Sequence, residues 1–514
     1  MTLDQGNITW TETSPGFWER GLDEGEKNYK NLETLFEGSG RVFFAITGHV
    51  SVQVPVPSGQ DKETESNKVD AALRKAWVAS RYDYPTIASH VVYNPTKPFF
   101  REIYQTPKSE DDVQSWLDAS FVPIESEQTG TDWANTDPPV PKMPTVFVLS
   151  PPSSSNIIRR DLVLRSPHEM IDGIGTMHLW NTLIRHASLA YQGGGSWLPP
   201  ALDGSETKSL SPPYRVAAAI PVEPTEIQKR KIDAIAAELT TPITDIQVLS
   251  IPFRQGSLTP NKHQRLEHRF SAQDTDRMLE RCREAGVTIT HAFHAAIAMA
   301  VRDLQPPQKE HARGRYTSWI LRNERPYCQA PYNTEKHAAA AYHSISGRAI
   351  HVDVDLPTFD DSRDSAQERH KDEFLDIMQQ FRTFYDSIKN DPDHYALVCA
   401  ICALFTPPIP DAELAPNSKR PVPPPRDLPS VSLSSLGRID DKVDHSHGEF
   451  QLHDPWVTGE ELMNGYGCFL GTFRGELVLS GVYNDAWHDA DEMSIFLKRC
   501  VSIVFEGLGL SQDV

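Results

Sequence analysis

The sequence predicts an α/β chain made of two halves. Three observations lead there. Strand and helix periodicities interleave along the chain instead of separating into an all-helical and an all-strand region. A strand-like run, Ile157 to Leu164, passes through a short polar stretch into a long amphipathic helix starting near Ile174. After the prolines at 221 and 224 the pattern begins afresh with helices, so the halves are drawn at 1–222 and 223–514.

Taken in order, Arg41 to Val54 alternates as a strand does, and Lys68 to Arg81 places Val69, Ala72, Leu73, Ala76 and Trp77 on one helical face. Tyr84-Pro85 ends that helix, and Ala88 to Tyr93 reads as a strand. Glu110 to Phe121 reads as a helix. Thr145 to Ser150 and Ile157 to Leu164 read as a hairpin, and Gly193 to Pro213 as a loop. In the second half, Thr225 to Leu239, Ala272 to Ala285, Thr290 to Leu304 and Gln367 to Lys389 have helical spacing, while Tyr316 to Leu321 and Ala349 to Val354 read as strands. Thr406 to Pro429 is proline-dense and irregular, with Lys419, Arg420 and Arg426 as basic residues able to meet phosphates or simply to face solvent. Val431 to Ile439 alternates hydroxyl and apolar side chains. Tyr466 to Thr472 and Glu476 to Tyr483 close a hairpin, and Asp489 to Phe505 is a final amphipathic helix.

The chain has 514 residues, 39% hydrophobic and 23% charged, an ordinary globular composition with enough apolar surface for a sizeable core. A formal net charge of −20 argues against a nucleic-acid binder or a basic peripheral membrane protein, although a local basic patch could still hold an anionic co-substrate. Six cysteines are scattered without a disulfide framework, and the polar stretch Met1 to Thr13 is not a leader, so a cytoplasmic location is expected. Cys399 and Cys402 fall in an apolar run better suited to a core helix than to zinc or redox chemistry. No apolar run approaches the roughly 20 residues of a membrane span.

Between strand and helix lie His168, Asp172 and Gly173, reading H-x-x-x-D-G. Flanking regular structure would hold the imidazole still while leaving it free to face a cleft. With an unperturbed pKa near 6.5 it could take a proton from an attacking hydroxyl and return it to a leaving group, as a general base and then a general acid. Asp172 could orient the ring or brace the loop, and Gly173 is expected to supply a backbone angle that other residues resist. A structural histidine is the other reading of the same three residues.

In this setting the stretch resembles the active-site motif of the acyl-CoA-dependent acyltransferases related to chloramphenicol acetyltransferase, the plant BAHD enzymes and peptide-synthetase condensation domains. The resemblance implies two chloramphenicol-acetyltransferase-like lobes, each a mixed β-sheet covered by helices, with a channel between them, His168 as the general base, and an aspartate that is mainly structural and bound to an arginine. Pro167 stands where condensation domains usually carry the first of two adjacent histidines, which favours a stand-alone O-acyltransferase. Asn323-Glu-Arg-Pro326 is similar to a segment that follows a strand in the family's second lobe, and makes Arg325 the candidate partner of Asp172. The strand from Val431 is similar to the one bordering the reaction channel in condensation-like enzymes, so Ser432 or Ser434 could donate to a tetrahedral oxyanion. The plant family's aspartate–phenylalanine–glycine–tryptophan–glycine motif is absent there.

Length, lobe order and the texture of the second half resemble the fungal trichothecene 15-O-acetyltransferases. That implies acetyl-CoA as co-substrate, the C-15 hydroxyl of a trichothecene (sesquiterpenoid) as acceptor, no tightly bound cofactor, no metal and a monomer. An acyltransferase for another secondary-metabolite alcohol or amine is the alternative within the fold. Outside it stand a metal-dependent hydrolase built on His168, Asp172 and His178, and a non-catalytic two-lobed binding protein. No G-x-S-x-G elbow occurs, which disfavours a serine hydrolase. His291 and His294, at i and i+3 on one helix, lack further ligands and are expected to be surface or packing residues.

Overall fold

In the computed structural model, residues 7–94, 99–359, 363–408 and 421–511 are described. The largest sheet has six strands in the order Ser446–His447, Phe450–Gly459, Ile46–Pro55, Ile157–Ser166, Thr145–Leu149 and Phe121–Ile124. All neighbours in it are antiparallel except the last two strands. Alternation in Ile46–Pro55 turns Val50, Val52 and Val54 to one face, where they meet Leu162 and Leu164 of the neighbouring strand. Two helices, Lys62–Asp83 and Gly173–Gly193, cover that face with Leu73, Ala76, Trp77, Met177, Trp180 and Leu183, all fully buried.

The second half has its own core. His263–Arg269, Glu476–Asn484, Tyr466–Phe473 and Val431–Arg438 form a four-stranded sheet in that order, the last pair parallel. Helices Ile289–Asp303, Arg363–Lys389 and Ala490–Gly507 pack on it through Phe293, Phe374, Phe381 and Phe496. His291 and His294 belong to this packing rather than to the surface. His294 is fully buried, stacks on Phe381 at 4.4 Å and shares a 2.9 Å hydrogen bond with the Tyr385 hydroxyl. Cys399 and Cys402 lie on the helix His394–Phe405, and all six cysteines are free thiols. No described helix is long and apolar enough to cross a membrane.

The sheets do not divide at residue 222. Strand Phe450–Gly459, from the second half, pairs with Ile46–Pro55 and so completes the first half's sheet. Alternation identifies such a strand but says nothing about which edge accepts it. A second departure is local. The strand expected from Arg41 starts only at Ile46, because Phe44 takes a left-handed conformation with φ 57°, which ends the ladder. Of the basic residues in the proline-dense segment, Lys419 and Arg420 lie outside the described residues.

Helix Gly173–Gly193 is seated on the sheet by a close approach at Gly48. A Cβ there would lie 2.5 Å from Thr176 Cγ2, and the Thr176 rotamer is pinned because its hydroxyl donates to the Asp172 carbonyl at 2.9 Å. Gly48→Ala is therefore expected to lower the melting temperature, at a cost of about 1–3 kcal/mol. Removing the opposing methyl, in Gly48→Ala/Thr176→Ser, should recover much of that loss in scanning calorimetry.

Candidate active site

Strand Ile157–Ser166 ends against Pro167, and a turn closed by Met170 N–H on the Pro167 carbonyl carries His168. The helix then starts at Gly173 with Asp172 as its N-cap, whose side chain accepts the Gly175 N–H at 2.7 Å. This short connection between two buried elements leaves the imidazole 8% exposed. What exposure it keeps is toward a cavity of about 550 Å³ whose walls come from both halves. Phe43, Phe44 and Gly173 line it from one side, and Trp319, His343 and Ser432 from the other.

Two further rings crowd His168. Tyr29, on helix Glu24–Phe36, stacks on it with centroids 4.2 Å apart and planes at 14°. His343, on strand His343–Ile345, lies at 4.7 Å and 25°. The Tyr29 hydroxyl and His343 Nε2 are 2.6 Å apart. Burial, helped by His343, pushes the His168 pKa down to about 3, so the ring is neutral at any physiological pH. Its Nδ1 is buried without a well-formed hydrogen bond, and the residue's own carbonyl is the acceptor alongside the ring. A proton on Nδ1 leaves Nε2 with its lone pair as the basic atom.

Asp172 does not touch the imidazole through a hydrogen bond. Its two oxygens lie 2.8 and 2.6 Å from Arg325 Nη1, and Oδ2 also accepts the Tyr342 N–H at 2.8 Å. Burial would raise the carboxyl's pKa, but the Arg325 guanidinium and these hydrogen bonds outweigh it and hold the group below the usual carboxylate range. Arg325 is buried too, and its Nη2 donates to the carbonyls of Ala338 and Ala340.

Gly173 has another role than the one its place in the sequence suggests. It is the first helical residue and is not among the positive-φ positions. What demands glycine there is space, since a Cβ would stand 3.2 Å from both Leu436 and Val457, side chains of the second half. Gly175 is more constrained still, with its Cβ position 2.1 Å from the Ala338 carbonyl and 3.0 Å from Arg325. The sequence held that signal in the second glycine of Asp-Gly-Ile-Gly.

Ser432 and Ser434 line the same cavity, while Val431 and Leu433, alternating with them, are buried in the second core. The register of this strand shifts between Ser435 and Gly437, where Gly437 has φ 65°. Arg426 also borders the cavity, with its backbone clasped by the Asn464 side chain through two 2.8 Å hydrogen bonds. His178 does not join His168 and Asp172 in a metal site. Among the described residues no group of three His, Cys, Asp or Glu side chains is placed to hold a metal ion, and Asp172 is already engaged by Arg325. Sequence reasoning missed Tyr29, His343 and Trp319, which sit in no motif.

No family model matches the chain. Full-length relatives do. The O-acetyltransferase pigM of Monascus ruber is 26% identical over 514 residues, 98% of this chain and 88% of that protein. The acetyltransferase pigO of the same organism is 23% identical over 515 residues, 98% and 99% of the two chains. Among solved structures, the trichothecene 15-O-acetyltransferase TRI3 of Fusarium sporotrichioides superposes with a TM-score of 0.75 at 15% identity, covering 99% of each chain. The first condensation domain of the calcium-dependent antibiotic synthetase gives a TM-score of 0.59 at 11% identity, over 95% of this chain and 96% of that one. The fold is thus the two-lobed chloramphenicol-acetyltransferase-like fold shared by condensation domains and acetyltransferases. With full-length relatives named as acetyltransferases, the chain is an acyltransferase.

Breaking the Asp172–Arg325 pair should strand a buried charge. Asp172→Asn is expected to cost about 3–5 kcal/mol of stability and to depress the melting temperature. His168→Ala, which removes a neutral ring bordering a cavity, should shift it far less. An Asp172→Asn variant that melts with the parent would show that the pair does not brace the loop.

Proposed function

We propose that the protein transfers an acetyl group from acetyl-CoA to a hydroxyl of a fungal secondary metabolite, with His168 as general base. The observation that supports this reading is a neutral, buried imidazole bordering a cavity that both halves enclose. An acceptor hydroxyl against Nε2 gives up its proton as its oxygen attacks the thioester carbon. The tetrahedral intermediate then collapses, the C–S bond breaks, and the imidazolium returns the proton to the departing sulfur. Ser432 and Ser434, among the hydroxyls that line the cavity, are our candidates to donate to the oxyanion, a contribution commonly worth about 10²–10³ in rate. One chain supplies both walls, so a monomer is sufficient, and six free thiols suit a reducing cytosol.

For the acceptor, the C-15 hydroxyl of a trichothecene is one reading, supported by the likeness to TRI3 along the whole chain. A second is an azaphilone alcohol. It is supported by a relative from Aspergillus terreus named azaphilone biosynthesis cluster protein M, 24% identical over 353 residues, 68% of this chain.

Thiol release from acetyl-CoA, measured against trichothecene, azaphilone and simple alcohols, separates these readings. Acceptor-dependent release is expected, falling by at least about 10² in His168→Ala. No release with any acceptor would reject the acetyl-transfer proposal. Because His168 has its pKa lowered to about 3, it stays unprotonated throughout the range in which a free histidine titrates. The parent's kcat/KM should accordingly be nearly flat from about pH 8 to pH 6.5, without the loss that protonation of an ordinary imidazole near 6.5 would cause.

A further inference from the structure

We propose that Tyr29 and His343 are positioning residues for proton transfer at His168, with Tyr29 fixing His343 as a neutral tautomer against the ring that must become charged. This rests on the acyltransferase reading above and extends it to two residues that no motif contains.

We take the Tyr29 hydroxyl as the donor, because the opposite direction would leave both its O–H and the His343 Nδ1 lone pair without a partner. Burial raises the Tyr29 pKa far above its usual value, so its hydroxyl keeps its proton, and its hydrogen-bond partner among the described residues is His343 Nε2 at 2.6 Å. The hydroxyl donates, Nε2 accepts, and the single ring proton of His343 stays on Nδ1, which is buried without a partner. Both partners are anchored. Tyr342 N–H binds Asp172 Oδ2, and Asn323 pairs with His343 in a short two-stranded ladder, so His343 is carried by the same ion pair that braces the His168 loop. Helix Glu24–Phe36 is tied down by Glu24 on Arg215 at 2.8 Å, and by Lys30 on Glu169, the residue after His168, at 3.2 Å.

Burial first, then Arg325, holds the His343 pKa below its usual value, and the hydrogen bond from Tyr29 acts in the same direction. Asp172 and Glu324 act against them, each already engaged, Asp172 by Arg325 and Glu324 by Ser344 and His394. Beside His168, Lys30 is paired with Glu169 and Glu33, and Cys402 lies near Tyr29. The ring so kept neutral lies 4.7 Å from His168. A cation there would oppose formation of the His168 imidazolium by on the order of a hundredfold or more. Tyr29 engages the lone pair that such a proton would need. Its own ring, stacked face to face at 4.2 Å, meanwhile offers the developing imidazolium a π-face.

Tyr29→Phe keeps the stack and removes only the hydroxyl. It is expected to lose activity progressively as pH falls, with the acid limb of kcat/KM about one pH unit above the parent's. Tyr29→Phe/His343→Asn has no second ring to titrate and should lose that displacement. In ¹⁵N-histidine spectra, the His343 signals, assigned by their loss in His343→Asn, should show protonation at higher pH in Tyr29→Phe than in the parent. An acid limb and a His343 titration both unchanged in Tyr29→Phe would overturn the proposal. So would an equal loss of activity at every pH, the mark of a purely structural role. If the parent releases no thiol with any acceptor, it is the acyl-transfer reading that fails, and the spectra still decide whether Tyr29 controls the charge of His343.

Discussion

One buried ion pair between the halves, Asp172 with Arg325, is the constraint on which the His168 loop depends. Both groups are almost fully out of water, a placement that costs several kcal/mol per ion unless each is well matched. The matching is extensive. Asp172 caps its own helix through Gly175, binds Arg325 and accepts from the backbone of Tyr342, while Arg325 spans the carbonyls of Ala338 and Ala340. The carboxylate thereby links the helix behind His168 to the strand that carries His343. Loss of either partner would free both elements at once, so the motif's aspartate holds the His168 loop and the strand of His343 together.

The cavity follows from the same cross-connection. Strand Phe450–Gly459 leaves the second half, joins the first half's sheet, and brings Val457 against Gly173. Leu436, from the strand that presents Ser432 and Ser434, meets Gly173 from the other side. A helix start without a side chain is what lets these two pieces of the second half close over the His168 loop. The glycine is thus conformationally ordinary and sits in a tight contact, and its reading as a turn residue mistook a crowded interface for a strained backbone.

Much of the fold was legible because its elements are long and strongly periodic. Val69, Ala72, Leu73, Ala76 and Trp77 repeat as a helix face must, and Ile157 to Leu164 alternates into a buried strand, so type and approximate extent follow from the spacing of apolar residues. His168 and Asp172 were legible because they are close in sequence, in a connection where regular structure fixes them. Which strand completes which sheet was not legible, since the edge that accepts Phe450–Gly459 is chosen by packing far away in the chain. The same holds for the rings beside His168. Tyr29 and His343 stand 314 positions apart, and each alone resembles any other tyrosine or histidine. Only folding makes them neighbours.

A pKa near 3 would make His168 a feeble base if it had to take a proton before anything else happened. General-base catalysis does not ask that of it. In the proposed reaction the proton moves while negative charge gathers on the carbonyl oxygen, and the imidazolium is then paired with that oxyanion in the cavity. At about 4 Å and an effective dielectric near 20, such a pair gains about 4 kcal/mol, equivalent to about 3 pKa units. The ring is thus weakly basic while the site is empty and becomes a match for the reaction only when the tetrahedral species forms. Burial also serves the second half of the cycle, because an imidazolium that gains little from solvent gives its proton readily to the departing thiolate. The strength of the base is set by the intermediate rather than by the resting site, and this is why a desolvated histidine held by uncharged rings suits a thioester donor better than an exposed one.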